Sequence, residues 1–132
     1  QEAADADPDS NESLMARYYL ASTLASLGRH EDAISEYEKL ISRGGESVYA
    51  QMARLGKANE QARLGEYPEA IATYQELADQ PDSTLPTDAI LMQLAAAYDA
   101  SGNAEEAKKA FSRVVHEHPA SPYSTDAGKH LE

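Results

Sequence analysis

Leu91, Leu94, Ala95 and Tyr98 recur at steps of three and four residues, with polar or small side chains between them. That step returns an α-helix to the same face. A similar amphipathic stretch covers Asn11–Leu27, a second Ser47–Leu64, and the third Thr87–Ser101. Each runs directly into a glycine (Gly28, Gly65, Gly102), and a further amphipathic stretch follows each glycine. Alanine and Glu dominate and β-branched runs are few, which are helix-forming preferences. The pattern predicts an all-α protein built from helical hairpins.

The hairpins are copies of one another. LGRHEDAISEYEKLI from Leu27, LGEYPEAIATYQELA from Leu64 and SGNAEEAKKAFSRVV from Ser101 align without gaps, each 37 residues after the last. The offset holds for the glycines, for Ala33, Ala70 and Ala107, for Tyr37, Tyr74 and Phe111, and for Leu40, Leu77 and Val114. The glycine closes one helix with a left-handed backbone. The small Ala lets helices approach, and the aromatic one turn further on fills the space between hairpins. Asn103 with Glu106 is expected to form a capping box, and Pro68 sits where a first turn tolerates it.

Breakers separate the copies: Gly44-Gly45, then Pro81 through Pro86, then Pro119 through Pro122. The expected organisation is an acidic leader over 1–10, then one domain over 11–131. Its hairpins lie at about 11–43, 47–80 and 87–118, with a capping segment over 121–131. In that segment a helix from Pro122 to Leu131 places Tyr123, Ala127 and Leu131 on one stripe, with Asp126 and Lys129 opposite.

The third copy, through Leu91, Leu94, Ala95, Tyr98, Gly102, Ala107, Phe111, Val114 and Pro119, resembles the tetratricopeptide repeat at nearly every signature position. The first copy resembles it well. The second does so less, because Lys57 and Gln61 stand where larger apolar residues are usual. The spacing exceeds the family's usual 34 by residues that fall in the inter-hairpin loops. The resemblance covers about residues 14 to 131 and implies a right-handed superhelical stack of three hairpins plus the capping helix. A narrower likeness joins VVHEHPASPYSTDAGKHL to the "YP-x-SPY-x-x-x-A" ending of bacterial envelope proteins of this superfamily. These are the Tol–Pal-associated coordinator, the outer-membrane assembly lipoprotein and the Sec-translocon ancillary subunit. It implies a periplasmic or envelope-associated setting, the alternative being cytoplasmic.

In the family the first helix of each pair lines a concave groove. Carried over, the groove positions are Met15, Tyr18, Tyr19, Ser22, Ala25 and Ser26, then Met52, Leu55, Gly56, Asn59, Ala62 and Arg63, then Ala89, Met92, Gln93, Ala96, Asp99 and Ala100. All three methionines fall on it. Methionine adapts to varied partners and tyrosine adds rigid contact area, so the groove is expected to be apolar, edged by Asn59, Arg63, Gln93 and Asp99. Some of these side chains are alternatively core. The family's clamp for acidic tails needs a lysine where Tyr18, Leu55 and Met92 stand, so that mode is not expected.

Charge narrows the partner class. A net charge of −12 and a pI near 4.6 disfavour nucleic acid and anionic membranes. No cysteine is present, which removes disulfides and thiolate metal sites. The apolar runs are far shorter than the roughly 18 residues of a membrane span. The chain begins at Gln1, so a leader or anchor is expected to precede it, and Leu131-Glu132 read as residues before a purification tag. No nucleophile motif, metal motif or phosphate cradle occurs, so neither catalytic residues nor a cofactor is expected. His116 and His118 are two apart, about 200° around a helix, and read as exposed rather than as metal ligands. Asp5, Asp7 and Asp9 lack the glycine and terminal Glu of a calcium loop.

Two functions remain: a module that binds a partner polypeptide in the Met/Tyr-lined groove within an envelope assembly, or a structural element that self-associates or docks through the stack ends.

Overall fold

A computed structural model describes residues 10–80 and 84–132. The acidic leader, apart from Ser10, and the Asp5, Asp7, Asp9 series lie outside the described residues, as do positions 81–83 of the second breaker. Among the described residues there are seven helices and no strand: α1 (Asn11–Ser26), α2 (His30–Gly44), α3 (Val48–Arg63), α4 (Tyr67–Asp79), α5 (Thr87–Ala100), α6 (Ala104–Glu117) and α7 (Ser124–His130). They form two compact units, divided between Glu66 and Tyr67.

The repeat-related glycines do what their spacing predicts. Gly28, Gly65 and Gly102 have φ of 80°, 80° and 87°. At each, the glycine N–H bonds back to a carbonyl three residues earlier (Ala25, Ala62, Asp99). The next N–H reaches five residues back, to Leu24, Gln61 and Tyr98. This paired pattern satisfies the orphan carbonyls of the last turn and reverses the chain in two residues.

The following helices begin differently from the sequence expectation. Ser10 and Ser47, in extended backbone, accept hydrogen bonds from the N–H of Ser13 (3.1 Å) and Ala50 (3.2 Å), as N-caps do. Asn103 does not: its side-chain amide donates to Ser101 Oγ at 3.1 Å, and Glu106 accepts from Lys109 instead. The reason is backbone geometry. With ψ of 67°, Asn103 leaves the glycine turn short of the extended conformation that aims a cap at the third N–H.

In the first unit α2 packs against both α1 and α3. Its core is Leu14, Ala21, Ala33, Tyr37, Leu40, Ala50 and Ala53, with Tyr18, Leu24 and Ile41 packed against it. Lys57, a misfit to the repeat, keeps its ammonium 3.0 Å from Glu38 on α2. In the second unit α5 packs against α4 and α6, and α6 against α7. Tyr74, Leu77, Ile90, Leu91, Leu94, Phe111 and Val114 are buried there.

The capping helix is shorter than expected. With only seven residues, it leaves Tyr123 and Leu131 flanking it, exposed, and only Ala127 is buried. The cover over Phe111 comes instead from His130, whose ring stacks on it at 4.1 Å and 2°.

Candidate functional site

Met15 and Tyr19 lie one turn apart on α1, and both are exposed, Tyr19 to 61%. Tyr18 faces inward from the same turn. Its half-buried ring meets Tyr19 edge-on at 6.1 Å and Tyr37 of α2 at 5.9 Å. Ser22 shares a hydrogen bond with the Tyr37 phenol. Burial pushes the Tyr37 phenol above its usual pKa, and the Ser22 bond opposes that rise only in part. From α3, Met52, Leu55 and Asn59 are half-buried and Arg63 is exposed. In the first unit Met15 and Tyr19 thus stand in water, with the half-buried Tyr18 beside Tyr19.

Gly56, expected among the groove residues, is instead sealed. A Cβ built there would lie 2.5 Å from Cζ of Tyr37, so α3 carries its glycine where the Tyr37 ring needs the space. Ala25 and Ala62 are half-buried, and Ser26 is exposed at the end of α1.

In the second unit Ala96, Asp99 and Ala100 are exposed on α5, while Ala89, Met92 and Gln93 are half-buried. Gln93 Oε1 is buried without a hydrogen-bond donor. A small cleft of about 210 Å³ lies elsewhere in this unit, lined by Leu94 and Tyr98 of α5 and by Gln75, Lys109, Ala110 and Arg113. Its charged rim is already paired: Arg113 bonds Asp79 at 2.9 Å and Glu117 at 3.0 Å, and Lys109 bonds Glu106 at 3.0 Å. The Gln75 amide and then Arg113 hold the Asp79 carboxyl below its usual range. At the start of α5, the Ser121 hydroxyl donates to Asp88 at 2.7 Å and lowers that carboxyl too.

One polar cluster escaped sequence reading. Glu60 of α3 has a side chain only 3% exposed, yet carries a carboxylate. His30 Nδ1 of α2 lies 2.5 Å from its Oε1, and Arg63 bonds its Oε2. The available signal was the repeat itself, since the matching position in the third copy is Ala97. The partner could not be read that way, because it stands on another helix 30 residues earlier.

Among the described residues no three His, Asp or Glu side chains converge on a metal position. Of the two histidines weighed as ligands, His116 is exposed and His118 half-buried. No described helix is long and apolar enough to cross a membrane.

No curated protein matches the sequence closely enough to be named as a relative. A family profile described as a tetratricopeptide repeat-like domain matches residues 9–127, nearly the whole chain. The chain belongs to the tetratricopeptide repeat-like family.

Proposed function

We propose that the chain captures a partner polypeptide on the exposed faces of its first helices. Domains of this family are in general protein-interaction modules and not catalysts. One observation carries the reading: Met15 and Tyr19 are held in water one turn apart, though Met and Tyr are side chains that a monomer gains by covering. Tyr18 lies half-buried against Tyr19, Ser22 bonds the Tyr37 phenol, and Met52, Leu55 and Asn59 of α3 are half-buried. Arg63 adds an exposed rim charge. Met92, Gln93, Ala96 and Asp99 form the corresponding face of α5. The envelope setting rests on the likeness of residues 114–131 to the endings of envelope proteins.

Photo-crosslinking in the native cell tests this. A crosslinker at Met15 or Tyr19 is expected to trap a protein adduct, and one at Glu38, on α2, is not. Equal adducts from both positions, or none from Met15 and Tyr19, would remove the face from consideration.

A second reading, docking through a stack end, is favoured by the exposure of Tyr123 and Leu131 beside α7. Light scattering of Tyr123→Ser against the parent chain separates the two readings. Association that disappears in the variant supports end docking, and a concentration-independent monomer counts against it.

A further inference from the structure

Charge is divided unequally between the two units. Residues 10–66 hold eight acidic side chains against seven basic ones, whereas residues 67–132 hold eleven against Lys108, Lys109, Arg113 and Lys129. Two of those four cations are committed, Lys109 to Glu106 and Arg113 to Asp79 and Glu117. The helix that carries the open face of this unit, α5, has Asp88 and Asp99 and no base at all.

Asp99 is placed against its own helix. It stands in the last turn of α5, exposed, where the partial negative charge of the helix terminus disfavours a carboxylate and would favour a cation. No basic residue in that turn offsets it. Ala89, Met92, Ala96 and Asp99 follow at three- and four-residue steps, so the acid sits at the end of a small, apolar stripe.

We propose that the α5 stripe docks a cationic amphipathic segment of a partner protein, its Lys or Arg side chains meeting Asp99 in the last turn of α5 while apolar side chains lie over Met92 and Ala96. Lysine and arginine bring donors and no acceptor, which suits a face that ends in an exposed carboxylate with no base on its own helix. The inference deepens the interaction reading above and rests on it.

The probes are two fluorescent amphipathic peptides of equal length, one alternating Leu with Lys on a helical pattern and the other replacing Lys with Glu. Anisotropy against the whole chain is expected to show binding of the Lys peptide only, weakening as salt rises about tenfold. Asp99→Lys is expected to weaken it about tenfold, and Glu46→Lys, the same net-charge change on the first unit, less than about twofold. Asp99→Lys relieves the unfavourable acid at the helix end, so it is not expected to unfold the unit; circular dichroism checks this. Equal losses from both variants would mean attraction to the whole acidic chain and overturn the proposal, as would equal binding of the Glu peptide. If the proposal fails while crosslinks from Met15 and Tyr19 persist, the cationic partner falls and the interaction module stands. Absent crosslinks remove the module itself.

Discussion

The ring of Tyr37 occupies the place where any side chain at position 56 would begin: Cζ, Cε1 and the phenol oxygen all lie within 2.8 Å of a Cβ built on Gly56. Gly56→Ala gains about 1 kcal/mol of helix propensity. It must also displace a rigid ring that is 3% exposed and held by Ser22 and Tyr18. Overpacking of such a site costs about 1–3 kcal/mol. The expected net effect is destabilisation, seen as a lower urea midpoint. Combining it with Tyr37→Leu should cost less than the sum of the two changes, because the pair shares one contact. Additive costs would mean that the contact is slack.

Tyr37 also predicts an alkaline limb. Its folded pKa is raised above the unfolded value of about 10. Its contribution is therefore fully present below pH about 10 and is lost as the pH rises through the folded pKa. Tyr37→Phe should flatten the alkaline fall in melting temperature while costing about 1 kcal/mol at pH 7 through the lost Ser22 bond. An unchanged alkaline limb would assign that fall to other groups.

Removing Glu60 and removing Arg63 should differ in cost although the two are bonded. Glu60→Ala strips a sealed site of the group that both His30 and Arg63 face, an expected loss of about 2 kcal/mol or more in chemical denaturation. Arg63→Ala removes a side chain that is 57% exposed and leaves His30 on the carboxylate, so about 1 kcal/mol or less is expected. Equal costs would show that Arg63, not burial, sets the value of the cluster.

His130 covers Phe111 by stacking, so His130→Ala should lower stability by about 1 kcal/mol, with hydrogen exchange quickening in α6 and α7. Exchange that quickens elsewhere instead would deny α7 its capping part.

The helices and their glycine ends were legible because both depend on local period and backbone handedness, as in Leu27-Gly28 and Leu64-Gly65. Features set by distance between helices were less so. Position 56 was expected in the groove because the family's groove positions carry over onto it, and only the approach of Tyr37 from α2 shows it occupied. The Asn103–Glu106 box failed for a different reason. Its residue types fit, but the two-residue turn Gly102-Asn103 fixes a backbone angle that the motif does not tolerate. Glu60 and His30 both passed unmarked, the misfits noted in that copy being Lys57 and Gln61, since a buried pair is defined by which helices meet. Of the residues expected in a groove, Met15 and Tyr19 are exposed, whereas Tyr18 and Ser22 are bound up with Tyr37.

Nothing lies within 4 Å of a Cβ built on Gly28, Gly65 or Gly102, so room is not what selects glycine at these ends. The requirement is one of chirality alone. A D-alanine introduced at Gly28 by chemical ligation would enter the preferred backbone region of its own mirror class. It would also restrict the unfolded chain, so the hairpin should gain a few tenths to about 1 kcal/mol. L-alanine at the same position would lose stability.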